Sequence, residues 1–228
     1  DSLWRYFDEQ ENLISEVFYQ RGVQDGIATD YYPNGKVLQK QEYNLGQKDG
    51  IWEQYYPDGT IKKKGTYEKR KRQGDYVMNK PDGNPLIEGK YRDDLRVGNW
   101  YYYNETGAIE YIEQYVDGQK TNTKWYNGKR TTYYEDEKPK EIIEYKNGKK
   151  VGDWIQYYDT GEWVQELKKG DPQLGTEDEY VEVLKGHQEK VKGHYANDKL
   201  EGEVTYYNRD GSVDRIEIYE NGELVGEK

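Results

Sequence analysis

Hydrophobic and polar residues alternate in short segments along this chain, and residues that favour turns separate the segments. Alternation with a period of two is typical of β-strands, because successive side chains of a strand point to opposite faces of a sheet. The segment 51–56 shows this alternation, with Trp52, Gln54 and Tyr56 on one face and Ile51, Glu53 and Tyr55 on the other. Neither face is purely polar, so we expect a single sheet stabilised by aromatic side chains, and almost no helix.

Glycines recur along the chain at a fixed interval. Gly26, Gly50, Gly74 and Gly98 follow one another at intervals of 24 residues, and a similar sequence follows each of them. Self-similarity of this kind is typical of repeat architectures. The residues that we assign to the repeat framework are Gly26, Gly50, Gly74, Gly98, Gly152, Gly202, Trp52, Trp100, Trp154, Tyr56, Tyr103 and Tyr158.

Each repeat contains two turn sequences. The first has the form Pro33-Asn34-Gly35, in which proline presets the first turn position and glycine accepts a positive φ. The second has the form Lys146-Asn147-Gly148-Lys149, which is a strong signal for a tight β-hairpin. Two hairpins in each repeat predict a continuous meander.

The predicted fold is all-β, an elongated single-layer antiparallel β-meander built from tandem β-hairpin repeats of 24 residues. About 17 strands at the usual spacing would form a ribbon roughly 80 Å long. We divide this one continuous repeat domain into an N-terminal capping repeat (1–25), four regular repeats (26–121), two repeats after a six-residue insertion (122–174), a longer degenerate repeat (175–201), and a C-terminal repeat and cap (202–228). We expect the sheet to bend or divide at the insertion and at the degenerate repeat.

Tyrosine and tryptophan must supply most of the buried surface. The chain has 26 Tyr and 6 Trp but only 2 Phe and 1 Met, and its mean hydropathy is -1.31. Disordered segments are poor in aromatic residues, so this chain is predicted to fold. Its net charge of -11 repels nucleic acid and anionic lipid, and we expect neither as a partner. No run of residues approaches the ~18 apolar residues of a transmembrane helix.

The lack of cysteine excludes disulfides, thiolate metal sites and cysteine nucleophiles. Because the chain begins at Asp1 and not at methionine, we expect that a leader was removed. Both observations favour an extracytoplasmic location, periplasmic or at the cell surface, with the cytoplasm as the alternative.

The repeated pattern Gly-x-Trp-x-x-Tyr-Tyr-x-x-Gly resembles the MORN repeat, in particular the bacterial variant that is often labelled antitoxin-like. The segments 50–59 and 152–161 match this pattern, and the segment 145–152 matches the second turn of the repeat. The resemblance covers most of the chain from Gly26 onward. It implies a single-layered antiparallel sheet that serves as a scaffold for protein partners or membranes.

The segment Trp100–Gly107 also resembles the cell-wall-binding repeats, in which paired aromatics hold choline or glucan. Those repeats are shorter and carry a further Gly-Trp after the turn, which this chain lacks. This resemblance implies a carbohydrate partner, and we keep it as the alternative.

Few residues offer catalytic chemistry. The two histidines, His187 and His194, are seven residues apart and would lie on opposite faces of a strand, which argues against a shared metal ion. Serine is rare, and no phosphate-binding glycine motif is present. The carboxylates of 177–179, with Glu162 and Glu166 nearby, are the densest acidic group and the basis of a third hypothesis, a carboxylate-based hydrolase. We expect no catalytic residues, no metal and no cofactor.

Two sets of residues are candidates for binding. Trp52, Trp100 and Trp154 keep the repeat spacing, which is typical of packing within the sheet, whereas the other three tryptophans depart from it and are expected to be exposed. The only basic run is expected to form a charged hairpin loop or to dock on an acidic partner. The candidate binding residues are therefore Trp125, Trp163, Trp4, Lys69, Arg70, Lys71 and Arg72.

The sequence as a whole predicts a non-enzymatic repeat scaffold that binds a protein partner through an extended acidic and aromatic β surface. A carbohydrate or cell-envelope binding module that uses exposed Trp and Tyr is the alternative, because aromatic ladders also stack on sugar rings.

Overall fold

The computed structural model describes residues 1–170 and 176–228, and these residues fall into two compact units, 1–124 and 125–228. The described residues form antiparallel β-strands joined by tight turns, and none of them is helical. The all-β meander predicted from the alternation and the turn spacing is therefore confirmed. Within the described ranges, no helix is long and apolar enough to cross a membrane.

The first sheet contains eleven strands in chain order. These are β1 (Ser2–Phe7), β2 (Leu13–Gln20), β3 (Val23–Tyr31), β4 (Val37–Asn44), β5 (Gln47–Tyr55), β6 (Ile61–Glu68), β7 (Lys71–Asn79), β8 (Pro85–Arg92), β9 (Leu95–Tyr103), β10 (Ile109–Val116) and β11 (Gln119–Trp125). The sheet ends at β11, and the next strand starts another sheet, which is where the insertion was predicted.

The second unit has a main sheet and a separate hairpin. Its strands are β12 (Gly128–Tyr133), β13 (Pro139–Lys146), β14 (Lys149–Tyr157), β15 (Glu162–Lys168), β16 (Glu179–Lys185), β17 (Glu189–Ala196), β18 (Lys199–Leu200), β19 (Gly202–Tyr207), β20 (Val213–Glu220) and β21 (Glu223–Glu227). The main sheet has the order β12-β13-β14-β17-β19-β20-β21, with β18 beside β17, while β15 and β16 pair with each other.

The turns follow the chemistry of their residues. In the first turn of one repeat, Tyr56 and Thr60 close the loop through a backbone hydrogen bond of 2.8 Å, and Gly59 has a φ of 99°. In the second turn, both central residues have positive φ, as at Asn147 and Gly148 with 52° and 77°. Two consecutive positive φ angles match the right-handed twist of the flanking strands, so these turns fix the register of each hairpin.

Tyrosine hydroxyl groups tie each repeat to the next. The tyrosine that opens the first turn donates a hydrogen bond to the backbone carbonyl at the equivalent strand end one repeat later. The four bonds join Tyr32 to Tyr55 (2.7 Å), Tyr56 to Asn79 (2.8 Å), Tyr134 to Tyr157 (2.7 Å) and Tyr158 to Tyr207 (2.8 Å). Lys80 takes the position of these tyrosines in its repeat, and its Nζ donates to the carbonyl of Asn104, one residue after the end of β9 (2.7 Å).

Tyr103 occupies a different position in the repeat from Tyr56 and Tyr158. Asn104 opens its turn, so Tyr103 lies one residue earlier and on the opposite face of the sheet. There its hydroxyl donates to Glu88 (2.6 Å). Because this repeat has three consecutive tyrosines, the sequence alone did not show which residue is equivalent to Tyr56 and Tyr158.

The spacing of these bonds shows where the repeat is lengthened. The hydroxyl bond from Tyr158 spans 49 residues, whereas that from Tyr134 spans 23. The 26 additional residues accommodate the separate hairpin of β15 and β16, after which β17 resumes the main sheet beside β14. The predicted boundary between 174 and 175, and Gly175 itself, lie outside the described residues.

We expect the tyrosine bonds between repeats to contribute measurably to stability. Replacing Tyr134 by Phe removes the hydroxyl that donates to Tyr157 and should lower the free energy of unfolding by about 1 kcal/mol. Replacing its neighbour Tyr133 by Phe is the matched control, because Tyr133 is exposed and its hydroxyl has no hydrogen bond within the described ranges. Urea unfolding of both variants measures the difference, and equal stabilities would contradict this role.

Candidate functional site

Aromatic rings form a packed ladder on one face of the first sheet, which we call the ladder face. Trp100 is fully buried at its centre, with ring centroids 5.0 Å from Tyr91, 5.6 Å from Tyr76 and 6.2 Å from Tyr115. Trp52 contacts Tyr67 at 6.5 Å. On the main sheet of the second unit, Trp154 and Tyr195 form the equivalent pair at 5.5 Å, beside the buried Val191 and Val204.

Basic side chains cover the ladder from the solvent side. Arg72 lies 4.2 Å from the ring centroid of Tyr91, and Arg96 lies 4.2 Å from that of Trp100. Lys48 and Lys150 take the same repeat position over Tyr67 and Tyr195, at 5.3 and 4.9 Å. A cation held over a ring face stabilises the ring but occupies the surface on which a sugar would stack. The ladder is therefore a structural core and a poor carbohydrate platform.

Two glycines make the close ring packing possible. Gly65 and Gly89 occupy the same repeat position, 15 residues after the repeat glycines Gly50 and Gly74, and each lies in a strand between two large rings. A Cβ atom added to Gly89 would lie 2.3 Å from Cδ2 of Trp100. These strand glycines were not among the predicted framework residues, although they too are 24 residues apart in the sequence.

A largely buried carboxylate replaces this glycine near the end of the first sheet and near the end of the main sheet of the second unit. Glu113 on β10 accepts hydrogen bonds from Tyr102 (2.7 Å), Tyr115 (2.8 Å) and Lys120 (2.9 Å). Burial by itself would raise the pKa of Glu113, but these hydrogen bonds outweigh it and hold the pKa below its usual value.

Glu217 on β20 has the same surroundings in the second unit. It accepts from Arg215 (2.8 Å) and Tyr219 (2.9 Å). The hydrogen bond from Arg215, together with those from Tyr206 and Tyr219, holds the pKa of Glu217 below its usual value. Because every partner of these two carboxylates donates to them and stabilises the ionised form, both groups are suited to hold strands together.

The opposite face of the first sheet, which we call the open face, exposes a row of apolar side chains. Leu3 pairs across the strands with Phe18, Ile27 pairs with Glu42, and Ile51 follows one strand further on. Leu3, Phe18, Ile27 and Ile51 are between 37% and 51% exposed. This row was not among the predicted binding residues, although Ile27 and Ile51 each directly follow a repeat glycine.

The apolar row leads into a groove on the open face. The groove has a volume of about 710 Å³, and Ile51, Val77 and Tyr101 supply its apolar lining. Three of the four charged groups that line the groove form ion pairs, with Lys90 Nζ 2.9 Å from Asp75 and Lys64 Nζ 2.9 Å from Glu53. The fourth, Glu88, accepts a hydrogen bond from Tyr103 (2.6 Å). Apolar contact is therefore the main interaction that this groove offers a ligand.

The three candidate tryptophans lie in different environments. Trp4 is exposed on the edge strand β1, where its ring meets Tyr19 edge-on at 6.1 Å. Trp163 is exposed on β15. Trp125, at the end of β11, is only partly exposed, in contrast to the expectation of an exposed ring. Trp4 belongs to the first unit, whereas Trp125 and Trp163 belong to the second.

Half of the basic run is neutralised by the following second turn. Lys71 Nζ lies 3.4 Å from Asp93, and Arg72 Nε lies 3.1 Å from Asp94. Lys69 and Arg70 form the tight turn itself, with φ angles of 49° and 74°, and their side chains are exposed. Of the four residues of the basic run, Lys69 and Arg70 have no ion pair within the described ranges.

The histidines and two of the carboxylates near 177–179 contact neighbouring side chains. His187 stacks on Tyr157 at 4.3 Å, and burial lowers its pKa, whereas His194 lies 3.5 Å from Asp153. Asp178 pairs with Lys169 (2.8 Å), and Glu179 pairs with Lys168 (3.1 Å). Among the residues that the structure describes, no group of histidines and carboxylates could hold a metal ion.

A family model described as the MORN repeat variant matches residues 24–45, 48–69, 96–117 and 126–147, which together are fewer than half of the chain. Each match begins two residues before a repeat glycine with positive φ and ends on the first residue of a second turn. No curated protein matches the chain. The chain is thus a scaffold of tandem β-hairpin repeats, four of which match the MORN repeat variant.

Proposed function

We propose that this scaffold binds a protein partner through the open face of its first unit and performs no catalytic step of its own. The observation that carries the proposal is the row of exposed Leu3, Phe18, Ile27 and Ile51, which continues into the groove of Val77 and Tyr101. Glu42 lies between Ile27 and Ile51, but the four apolar side chains remain grouped on one face. Exposed apolar side chains grouped in this way are costly in water, and on a folded protein they commonly mark a site of protein interaction.

Carbohydrate binding is the second candidate, and it rests on the exposed Trp4 and Trp163. The ladder itself does not support it, because Trp100 is fully buried and Arg96 covers its ring. The open face favours a protein because Leu3, Ile27 and Ile51 supply aliphatic contact there beside the rings of Phe18 and Tyr101.

The proposal predicts that charge on the open face abolishes partner binding. A photo-crosslinking amino acid placed at Tyr101 should give one discrete protein adduct in native extract. The double substitution Ile27→Asp and Ile51→Asp should reduce the yield of this adduct by about tenfold or more, because buried interface positions tolerate charge poorly. Both side chains are substantially exposed, so the fold should persist.

The substitution Val225→Asp is the matched control, since Val225 is equally exposed but lies in the second unit. It should leave the yield unchanged. Saturable quenching of tryptophan fluorescence by one polysaccharide, together with no protein adduct, would overturn the proposal in favour of carbohydrate binding.

A further inference from the structure

The separate hairpin of β15 and β16 presents an unpartnered apolar face. Trp163 pairs across it with Leu184, and Leu167 pairs with Tyr180, so these four side chains share one face. Trp163, Leu167 and Tyr180 are between 43% and 72% exposed. No other described strand pairs with this hairpin. This face is therefore available for a partner.

The same face borders a groove lined by acidic and aromatic side chains. Trp163 and Glu182 of the hairpin line it together with Tyr133 and the turn residues Glu135, Asp136 and Glu137. The groove has a volume of about 740 Å³. It lies within the second unit and shares no residue with the groove on the open face.

Most of the negative charge in this groove is not neutralised by the protein. Asp136 pairs with Lys138 at 2.6 Å, and Lys138 also lies 3.8 Å from Asp159. Within the part of the chain that the structure describes, Glu135, Glu137 and Glu182 have no ion pair. Unpaired carboxylates beside exposed aromatic rings attract a cationic ligand. The indole ring of Trp163 and the phenol ring of Tyr133 add a cation–π interaction with the same ligand.

We propose that this groove binds a basic, extended peptide segment of a partner protein. An arginine or lysine side chain lies against the ring of Trp163 or Tyr133, and Glu135, Glu137 and Glu182 balance its charge. Apolar residues that alternate with the basic ones contact Leu167 and Tyr180 along the hairpin. The length of this apolar face favours a peptide over a small cation, and the carboxylates do not form a metal-binding group. This site is distinct from the open face and stands without the function proposed above.

The test uses a fluorescent peptide that alternates arginine and leucine, and fluorescence anisotropy with the full chain. The substitutions Glu135→Gln, Glu137→Gln and Glu182→Gln, made together, should weaken binding by about tenfold or more. Trp163→Ala should weaken it by roughly fivefold, since it removes both the apolar contact and the ring face. A peptide with glutamate in place of arginine should not bind.

The matched control neutralises three other exposed carboxylates of the second unit, Glu220, Glu223 and Glu227, which carry the same total charge. This control should change the affinity by less than about twofold at physiological salt, because exposed charges beyond the contact surface are screened. Equal weakening by the two triple variants would show that the peptide only senses net charge, and it would overturn the proposal. Absence of binding to the unmodified chain would overturn it as well. Circular dichroism of every variant confirms that the sheet is retained.

Discussion

Replacing Gly89 by alanine is expected to destabilise the first unit by about 3 kcal/mol, because overpacking of a well-packed core typically costs on this order. The added Cβ would lie 2.3 Å from Cδ2 and 2.4 Å from Cε2 of Trp100. Trp100 has no room to move, since it is fully buried between Tyr76, Tyr91 and Tyr115. Urea unfolding followed by tryptophan fluorescence measures the loss.

Gly65→Ala is the matched control for this prediction. Gly65 has the same repeat position and the same strand conformation, but a Cβ there would make only ordinary contacts, 3.7 Å from Tyr76 and 3.8 Å from Trp52. Because alanine also restricts the unfolded chain, this variant should be neutral or more stable by up to about 1 kcal/mol. Gly193→Ala should fall between the two, since its Cβ would lie 3.0 Å from Val204 and 3.3 Å from Trp154. Equal effects at Gly65 and Gly89 would mean that ring packing does not determine the choice of glycine.

The regular parts of the fold could be predicted because they depend on local chemistry. A turn such as 57–59 or 147–148 has a geometry that depends on residues that accept positive φ. Asparagine, aspartate and glycine are such residues, so these turns can be recognised in the sequence. Alternation between the turns then assigns each side chain to a face. For this reason the meander and the ladder face follow from the sequence.

The separate hairpin could not be predicted in the same way. Gly152 and Gly202 are 50 residues apart, which is close to two repeat lengths, so the spacing favoured an additional repeat. The hydrogen bond from Tyr158 to Tyr207 instead places one repeat between them, together with the additional hairpin. Long-range strand pairing decides between these two arrangements, and no local pattern encodes it.

Candidate binding residues were hard to judge from sequence because their partners lie one repeat away. Lys71 and Arg72 form the second half of a basic run, yet Asp93 and Asp94 of the following second turn neutralise them. Conversely, Ile27 and Ile51 match the alternation of any buried strand, yet both side chains are substantially exposed. Both judgements require the register of neighbouring repeats.

The carboxylate of Glu113 is expected to make the stability of the first unit dependent on pH. Glu113→Gln should lower the free energy of unfolding by about 2 kcal/mol at pH 7, in the range for hydrogen bonds to a buried charged group. The side chain of Glu113 is only 12% exposed, so solvent screens these bonds weakly. Urea unfolding of the variant and of the unmodified chain at several pH values gives the difference.

The direction of the pH dependence follows from the lowered pKa of Glu113. In the unfolded chain a glutamate titrates near its ordinary value of about 4.3, so the stabilisation by the ionised group is complete above that pH. It is lost as the pH falls through the lower pKa of the folded state, and the glutamine variant lacks this loss. The two unfolding free energies should therefore converge in acid and separate toward neutral pH.

Glu68→Gln is the control, because Glu68 is exposed and without an ion pair in the described ranges, and it should show no such convergence. If the free energies of unfolding of Glu113→Gln and of the unmodified chain differ by the same amount at all pH values, the charge of Glu113 does not stabilise the sheet. The shape of the side chain would then account for its contribution.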